Sequence, residues 1–99
     1  MVAVKVLDPQ AVDAALADGI DWERKGDELV KVHKERDFAG ALDFVNRVGE
    51  IAERADHHPD IDIRWNTVTL RLSTHSAGGI TNADLELARQ IDGLSTSRD

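Results

Sequence analysis

The chain has 99 residues, is 41% hydrophobic and 31% charged, and carries a formal charge of -7 with a sequence pI near 4.9. That length supports one core and one domain, spanning residues 1–99. The acidity argues against nucleic acid as a partner, because phosphate backbones are held by clustered Lys and Arg. With no cysteine, disulfides, thiolate nucleophiles and zinc–thiolate sites are excluded. The first residues lack the basic start, long apolar segment and small-residue cleavage site of a signal peptide. No apolar run approaches the roughly 20 residues needed to cross a bilayer. A soluble, cytoplasmic protein with no membrane contact is expected.

Asp8-Pro9 reads as an N-cap followed by proline at the first helical position, with Val12, Ala15 and Leu16 on one face and Gly19 ending the turn. Over residues 20–34 the helical period disappears. Two extended pieces, around Trp22 and from Leu29 to His33, flank the turn Lys25-Gly26-Asp27 and predict a first β-hairpin. Asp37 can cap a longer helix whose apolar stripe is Phe38, Ala41, Leu42, Val45, Val48 and Ala52. Gly40 and Gly49 each cost that helix roughly 1 kcal/mol relative to alanine, which predicts close approach by the sheet or another helix. The helix should stop near Asp56, since Pro59 biases His58 toward extended backbone.

A turn at Asn66-Thr67 would pair Trp65 with Val68, Ile63 with Leu70 and Ile61 with Leu72, gathering six apolar side chains on one surface of a second hairpin. Asp60, Asp62, Arg64, Thr69, Arg71 and Ser73 then form a polar opposite face. Thr81 can cap a last helix in which Leu85, Ala88 and Ile91 share a face, with Gly93 and residues 95–99 as a frayed end. The order α-β-β-α-β-β-α predicts an α+β two-layer sandwich: a four-stranded antiparallel sheet with three helices on one face.

Three of the four histidines fall in two short stretches, Glu53-Arg54-Ala55-Asp56-His57-His58-Pro59 and Ser73-Thr74-His75. Imidazole exchanges protons near neutrality, so the grouping points to acid–base chemistry. His57 follows the long helix at its C-terminal end, and Glu53 lies one turn before it if the helix persists that far; both would favour imidazolium. Adjacent His57 and His58 cannot easily point the same way in extended chain, so one is expected to move protons and the other to position a ligand. Each piece also has a plain structural reading. His-His-Pro commonly ends a helix, Thr81-Asn82-Ala83-Asp84 is a sound capping pattern, Gly78-Gly79 makes a tight turn, and Trp22 and Trp65 suit a core. His33 is read as a strand histidine without a role.

Taken together, Glu53, His57-His58-Pro59, Trp65, Val68, Ser73-Thr74-His75, Gly78-Gly79, Thr81 and Asp84, at these separations, closely resemble the pterin-4a-carbinolamine dehydratase family. The similarity runs from about Trp22 through Asp92. Members dehydrate a 4a-hydroxytetrahydropterin to the quinonoid dihydropterin in tetrahydrobiopterin recycling. No metal or organic cofactor is implied. By the resemblance His57 and His75 are the proton-transfer pair and His58 a binding or auxiliary catalytic residue, with Asp84 and Glu53 in support. Asp56, Ser73 and Thr74 become hydrogen-bonding candidates for the flat pterin, and Trp22 a wall of its pocket. Trp65 stands where tyrosine is common, and Asp21 where glycine is frequent. A homo-oligomer, dimer or tetramer, is expected, because the glycines of the second helix would let it pack on a copy of itself. Animal members double as a dimerisation cofactor for a transcription factor, and bacterial members can adjoin a phenylalanine hydroxylase. A protein-binding module, a pterin-binding protein and functional coupling to an aromatic amino acid hydroxylase are therefore competing or additional implications. A zinc site is disfavoured, since adjacent histidines lack the i, i+4 spacing of helix-borne ligands.

Overall fold

The computed structural model describes residues 5–96. Residues 1–4, and 97–99 of the expected frayed tail, lie outside the described residues. The elements follow the expected order: α1 (Pro9–Ala17), β1 (Glu23–Lys25), β2 (Glu28–Lys34), α2 (Phe38–Ala55), β3 (Asp60–Arg64), β4 (Thr67–Leu72) and α3 (Asn82–Thr96). The strands form one antiparallel sheet in the order β1-β2-β4-β3. Among the described residues no helix is long and apolar enough to cross a membrane.

Cross-strand pairing puts Leu29, Lys31 and His33 opposite Leu72, Leu70 and Val68, and the last two in turn opposite Ile61 and Ile63. This face carries the core. Leu29, Val68, Leu70 and Leu72 pack with Val12 of α1, Ala41, Phe44, Val48 and Ile51 of α2, and Leu85, Leu87, Ala88 and Ile91 of α3. Asp8 caps α1, accepting from the N–H of Ala11 at 2.8 Å, and Asp37 caps α2, accepting from Gly40 at 2.7 Å, as a short oxygen side chain does at a helix start.

The structure corrects four expectations. First, α2 buries Ala41, Phe44, Val48, Ile51 and Ala52, whereas Phe38 and Leu42 are exposed. The helix carries two apolar stripes, and only one faces the sheet. Second, the glycines of α2 do not mark a close approach by another element. A Cβ on Gly40 would meet Glu35 and Asp37 side chains at the helix entry, and one on Gly49 would meet nothing. Gly49 instead lies in an open groove of about 920 Å3 lined by Val45, Asn46, Glu50, Glu53, Arg54 and Ile61.

Third, the second hairpin turns at Trp65-Asn66, so Ile63 opposes Val68 and Ile61 opposes Leu70. Trp65 sits in the left-handed region at φ 51° and is 68% exposed, outside the core. Fourth, Gly93 does not end α3, which continues to Thr96.

Two polar side chains of β2 enter the core side. Lys31 is only 7% exposed, and its Nζ reaches Asp92 Oδ1 of α3 at 2.9 Å and the Asp21 carbonyl at 3.1 Å. His33 stacks on Phe44 with ring centroids 3.8 Å apart, its Nε2 sharing a 2.6 Å hydrogen bond with Glu35.

Candidate active site

The C-terminus of α2 sets the direction of both adjacent histidines. Asp56 adopts φ 51°, ψ 41°, and the N–H groups of Asp56 and His57 bond back to the carbonyls of Glu53 and Ala52 at 3.2 and 3.1 Å. This is a left-handed helix stop that satisfies the last carbonyls. It ends the helix before His57, so Glu53 cannot meet His57 as a next-turn neighbour. Glu53 pairs instead with His58, at 2.5 Å between Oε2 and Nε2, in an exposed contact on the flank of α2. His57 turns the other way, toward α3. The expected divergence of the two rings is realised, with Glu53 serving the second histidine rather than the first.

His57 Nε2 lies 2.5 Å from Oδ1 of Asp84, which is 0% exposed. The other carboxylate oxygen accepts from the backbone N–H of Thr81 at 2.9 Å and from the hydroxyl of Thr74 at 2.8 Å. Thr81 in turn accepts from the N–H of Ala83 at 3.2 Å. The capping pattern at the start of α3 is therefore real, and its acidic member does a second job. An ionised carboxylate only accepts hydrogen bonds, and three donors converge on Asp84. His57 then carries its proton on Nε2, which leaves Nδ1 as the nitrogen free to exchange a proton with a ligand.

Thr74 also brings in the third histidine. Its N–H bonds to the carbonyl of Gly79 at 2.9 Å, and its carbonyl accepts from Ala77 at 3.0 Å and from Gly78 at 2.9 Å, closing the short loop that carries His75. Gly78 makes this turn at φ 82°, a conformation that glycine adopts without steric cost. His75 is exposed and follows directly on the residue that grips Asp84. The end of α2, the loop after β4 and the start of α3 thus meet at one carboxylate, with His57 bound to it and His75 next in sequence to Thr74, which is also bound to it.

The remaining candidates divide. Ser73 is half-buried at the end of β4, and Asp56 is exposed at the helix stop. The Thr74 hydroxyl, expected to face a ligand, is spent on Asp84. Trp22, expected as a pocket wall, is 6% exposed and belongs to the core, its indole N–H donating to Asp92 Oδ1 at 2.9 Å. Asp92 lies about 12 Å along α3 from Asp84 at 1.5 Å per residue, so this indole is anchored toward the far end of the helix. Local reading missed Thr81 as a partner of the site. Its only sequence signal, Thr-x-x-Asp, is equally that of a helix cap. Among the described residues no group of three His, Asp or Glu side chains could hold a metal ion.

Comparison with known proteins gives the family and agrees with the fold. The family model described as pterin 4 alpha carbinolamine dehydratase matches residues 5–94. Relatives carrying the provisional name pterin-4-alpha-carbinolamine dehydratase include one from Nocardia farcinica, 52% identical over 94 residues and covering 95% of this chain and 99% of its own. One from Mycolicibacterium vanbaalenii is 54% identical over 89 residues, covering 90% and 96%. Among solved structures, a transcriptional coactivator/pterin dehydratase from Brucella melitensis superposes with a TM-score of 0.85 at 28% identity, covering 91% of this chain and 98% of that one. A pterin dehydratase-like RuBisCO assembly factor of the alpha-carboxysome shares the fold, with a TM-score of 0.62 at 22% identity over 77% of this chain and 88% of that one.

Proposed function

This chain belongs to the pterin-4-alpha-carbinolamine dehydratase family, and from that premise we propose that it removes water from a 4a-hydroxytetrahydropterin by histidine acid–base catalysis, in the recycling of a tetrahydropterin in the cytoplasm. In the reaction the bond from C4a to the hydroxyl oxygen breaks and a proton joins that oxygen, so that water departs rather than hydroxide. A second proton leaves a ring nitrogen as the new carbon–nitrogen double bond forms, giving the quinonoid dihydropterin. One imidazole of the His57–His75 pair delivers the first proton and the other collects the second. The observation that carries this reading is the buried Asp84, which binds His57 Nε2 and, through Thr74, the loop of His75. In either role His57 works through Nδ1, and the Asp84 carboxylate stabilises the positive charge of the protonated ring.

His58, held by Glu53 at the rim, and Asp56 and Ser73 beside the same chain ends, supply the polar contacts for the amide-like edge of the pterin. The test is water loss from the hydroxypterin by purified protein without added metal, with His57→Ala and His75→Ala compared at matched folding. Strong slowing in both variants supports the reading, and full activity in both removes it. Trials with several pterins, including folate-like and molybdopterin-related compounds, identify the side chain accepted.

A second role is supported by the exposed Phe38 and Leu42 and the half-buried Val45, a stripe that continues through Gly49 and Ile61 along the open groove of α2. Positions 38, 42, 45 and 49 repeat at spacings of four, three and four, as in a helix that packs on another helix. The occupant we assign is a second copy of the chain, giving a dimer or tetramer. Any further protein partner, including an aromatic amino acid hydroxylase, would be engaged by that assembly.

A further inference from the structure

Behind Asp84, two threonine hydroxyls lie out of solvent and in contact with each other. Thr74 is 8% and Thr81 2% exposed, and their Oγ1 atoms are 2.8 Å apart. Each hydroxyl has one hydrogen to give, and its direction can be worked out. Thr74 lies 2.8 Å from Asp84 Oδ2, an acceptor-only atom when the carboxylate is ionised, so its hydrogen points there. The Thr74 oxygen is then an acceptor toward Thr81, whose hydrogen points to Thr74. Thr81 itself accepts from the Ala83 N–H at 3.2 Å. Every hydrogen in this chain is directed the same way: Ala83 N–H to Thr81, Thr81 to Thr74, Thr74 to Asp84. Reversing the middle link would take the Thr74 hydrogen away from a buried carboxylate, at the cost of leaving that oxygen short of a donor.

We infer that Thr74 and Thr81 are positioning residues which, through Asp84, fix the tautomer of His57 and so keep the proton on Nε2 and the ligand-facing Nδ1 bare. With the Thr81 N–H and the Thr74 hydroxyl both on Oδ2, the carboxylate cannot rotate without losing two donors, and Oδ1 is held as an acceptor toward His57 Nε2. The two residues differ in reach. Thr74 also anchors the loop of His75 by its backbone, whereas the Thr81 hydroxyl reaches Asp84 only through Thr74 and otherwise caps α3 at Ala83. The consequence for catalysis rests on the dehydratase reading above, but the tautomer does not, so the two can fail separately.

The experiment uses Thr74→Val and Thr81→Val, which delete a hydroxyl at nearly constant shape, and Thr74→Ser, which restores it. The first readout is the ring-nitrogen pattern of His57 by NMR in ligand-free protein. Wild type should show the proton on Nε2 with Nδ1 bare, Thr74→Val a mixture of tautomers, and Thr74→Ser the wild-type pattern. The second is turnover of the hydroxypterin. Displacing a proton-transfer group costs kcat on the order of tenfold to a hundredfold, so Thr74→Val should lose that much with KM nearly unchanged, Thr81→Val less, and Thr74→Ser should recover most of the rate. If Thr74→Val does not fold, Thr81→Val carries the same test, because the Thr81 hydroxyl touches Thr74 and the Ala83 N–H but not Asp84. A wild-type ring pattern in the folded valine variants overturns the inference, as does a serine variant no better than valine. Altered tautomers in a protein whose wild type dehydrates no pterin would leave the inference standing and sink the proposed function.

Discussion

Replacing Asp84 by Asn tests the site most directly, because it keeps the shape and removes one acceptor. The carboxylate is fully buried and takes three donors: His57 Nε2 on one oxygen, the Thr81 N–H and the Thr74 hydroxyl on the other. An asparagine can keep the last two by placing its carbonyl at Oδ2. Its NH2 group then faces His57 Nε2, donor against donor. A buried donor left without an acceptor costs about 1–3 kcal/mol. At ~4–8 °C per kcal/mol for a domain of this size, the melting temperature should fall by roughly 5–20 °C. The ring can avoid the clash by moving its proton to Nδ1, which leaves the nitrogen that faces the ligand already protonated.

A misassigned general acid or base costs roughly a hundredfold to ten-thousandfold in rate, so Asp84→Asn should lose that much kcat while remaining folded at 20 °C. Thermal melts by circular dichroism, the dehydration rate and the ring-nitrogen pattern of His57 measure the three consequences together. A variant that keeps the His57 proton on Nε2 while melting or turning over like wild type would refute this arrangement of donors.

Leu42→Glu places a charge in the apolar stripe of α2, about two turns before Gly49; light scattering should show a smaller assembly with intact secondary structure, and an unchanged mass would exclude that face as the contact. Lys31→Met keeps the aliphatic stem but removes the ammonium that ties β2 to Asp92 and Asp21; hydrogen bonds to charged groups are worth about 1.5–3 kcal/mol, and urea unfolding should show a loss of that order with the dehydration rate little changed. The third concerns the pair joining α1 to β1. Arg24, bonded to Asp13 at 2.9 and 3.2 Å, holds the Asp13 carboxyl below its usual range, chiefly through that hydrogen bond. The lowered value makes the contribution complete above the usual carboxylate range and lost as pH falls through it. Asp13→Asn should therefore melt below wild type at neutral pH, by a small margin for so exposed a pair, with the gap closing in acid; a gap that persists in acid contradicts the assignment.

Element order, caps and the faces of the sheet were legible because each is written in local pattern. Asp8 and Asp37 cap where their spacing says they should, and Ile61, Ile63, Val68 and Leu70 share a face as their alternation requires. The hairpin register was not legible. The expected and observed pairings differ by two residues, a slip that leaves every side chain on its proper face and so leaves no mark in the apolar pattern. What fixes the turn is remote: the Asn66 side chain donates to the Glu35 carbonyl at 2.9 Å, and the Glu35 N–H bonds to the Asn66 carbonyl at 2.9 Å. Trp65 is thereby left in the left-handed region, where a residue other than glycine costs about 1–2 kcal/mol. The face of α2 was ambiguous for a different reason. Two apolar stripes at helical spacing compete, and only the position of the sheet selects Phe44 and Ile51 over Phe38 and Leu42.

The site divides along the same line. Its residues were gathered by sequence resemblance, but the pairings within it depend on one backbone residue. Had α2 continued one more turn, Glu53 and His57 would lie on one face; the left-handed turn at Asp56 instead sends His57 to α3 and His58 back to Glu53. Asp84 likewise could be explained wholly as a cap, and the capping contact is present. The two roles are mechanically one. The N–H of Thr81 holds Asp84 Oδ2 because α3 begins there, and the rotation that would free Oδ1 from His57 would also uncap the helix. A carboxylate fixed by a helix start does not have to be ordered when a ligand arrives, so its orientation is settled during folding rather than at each turnover.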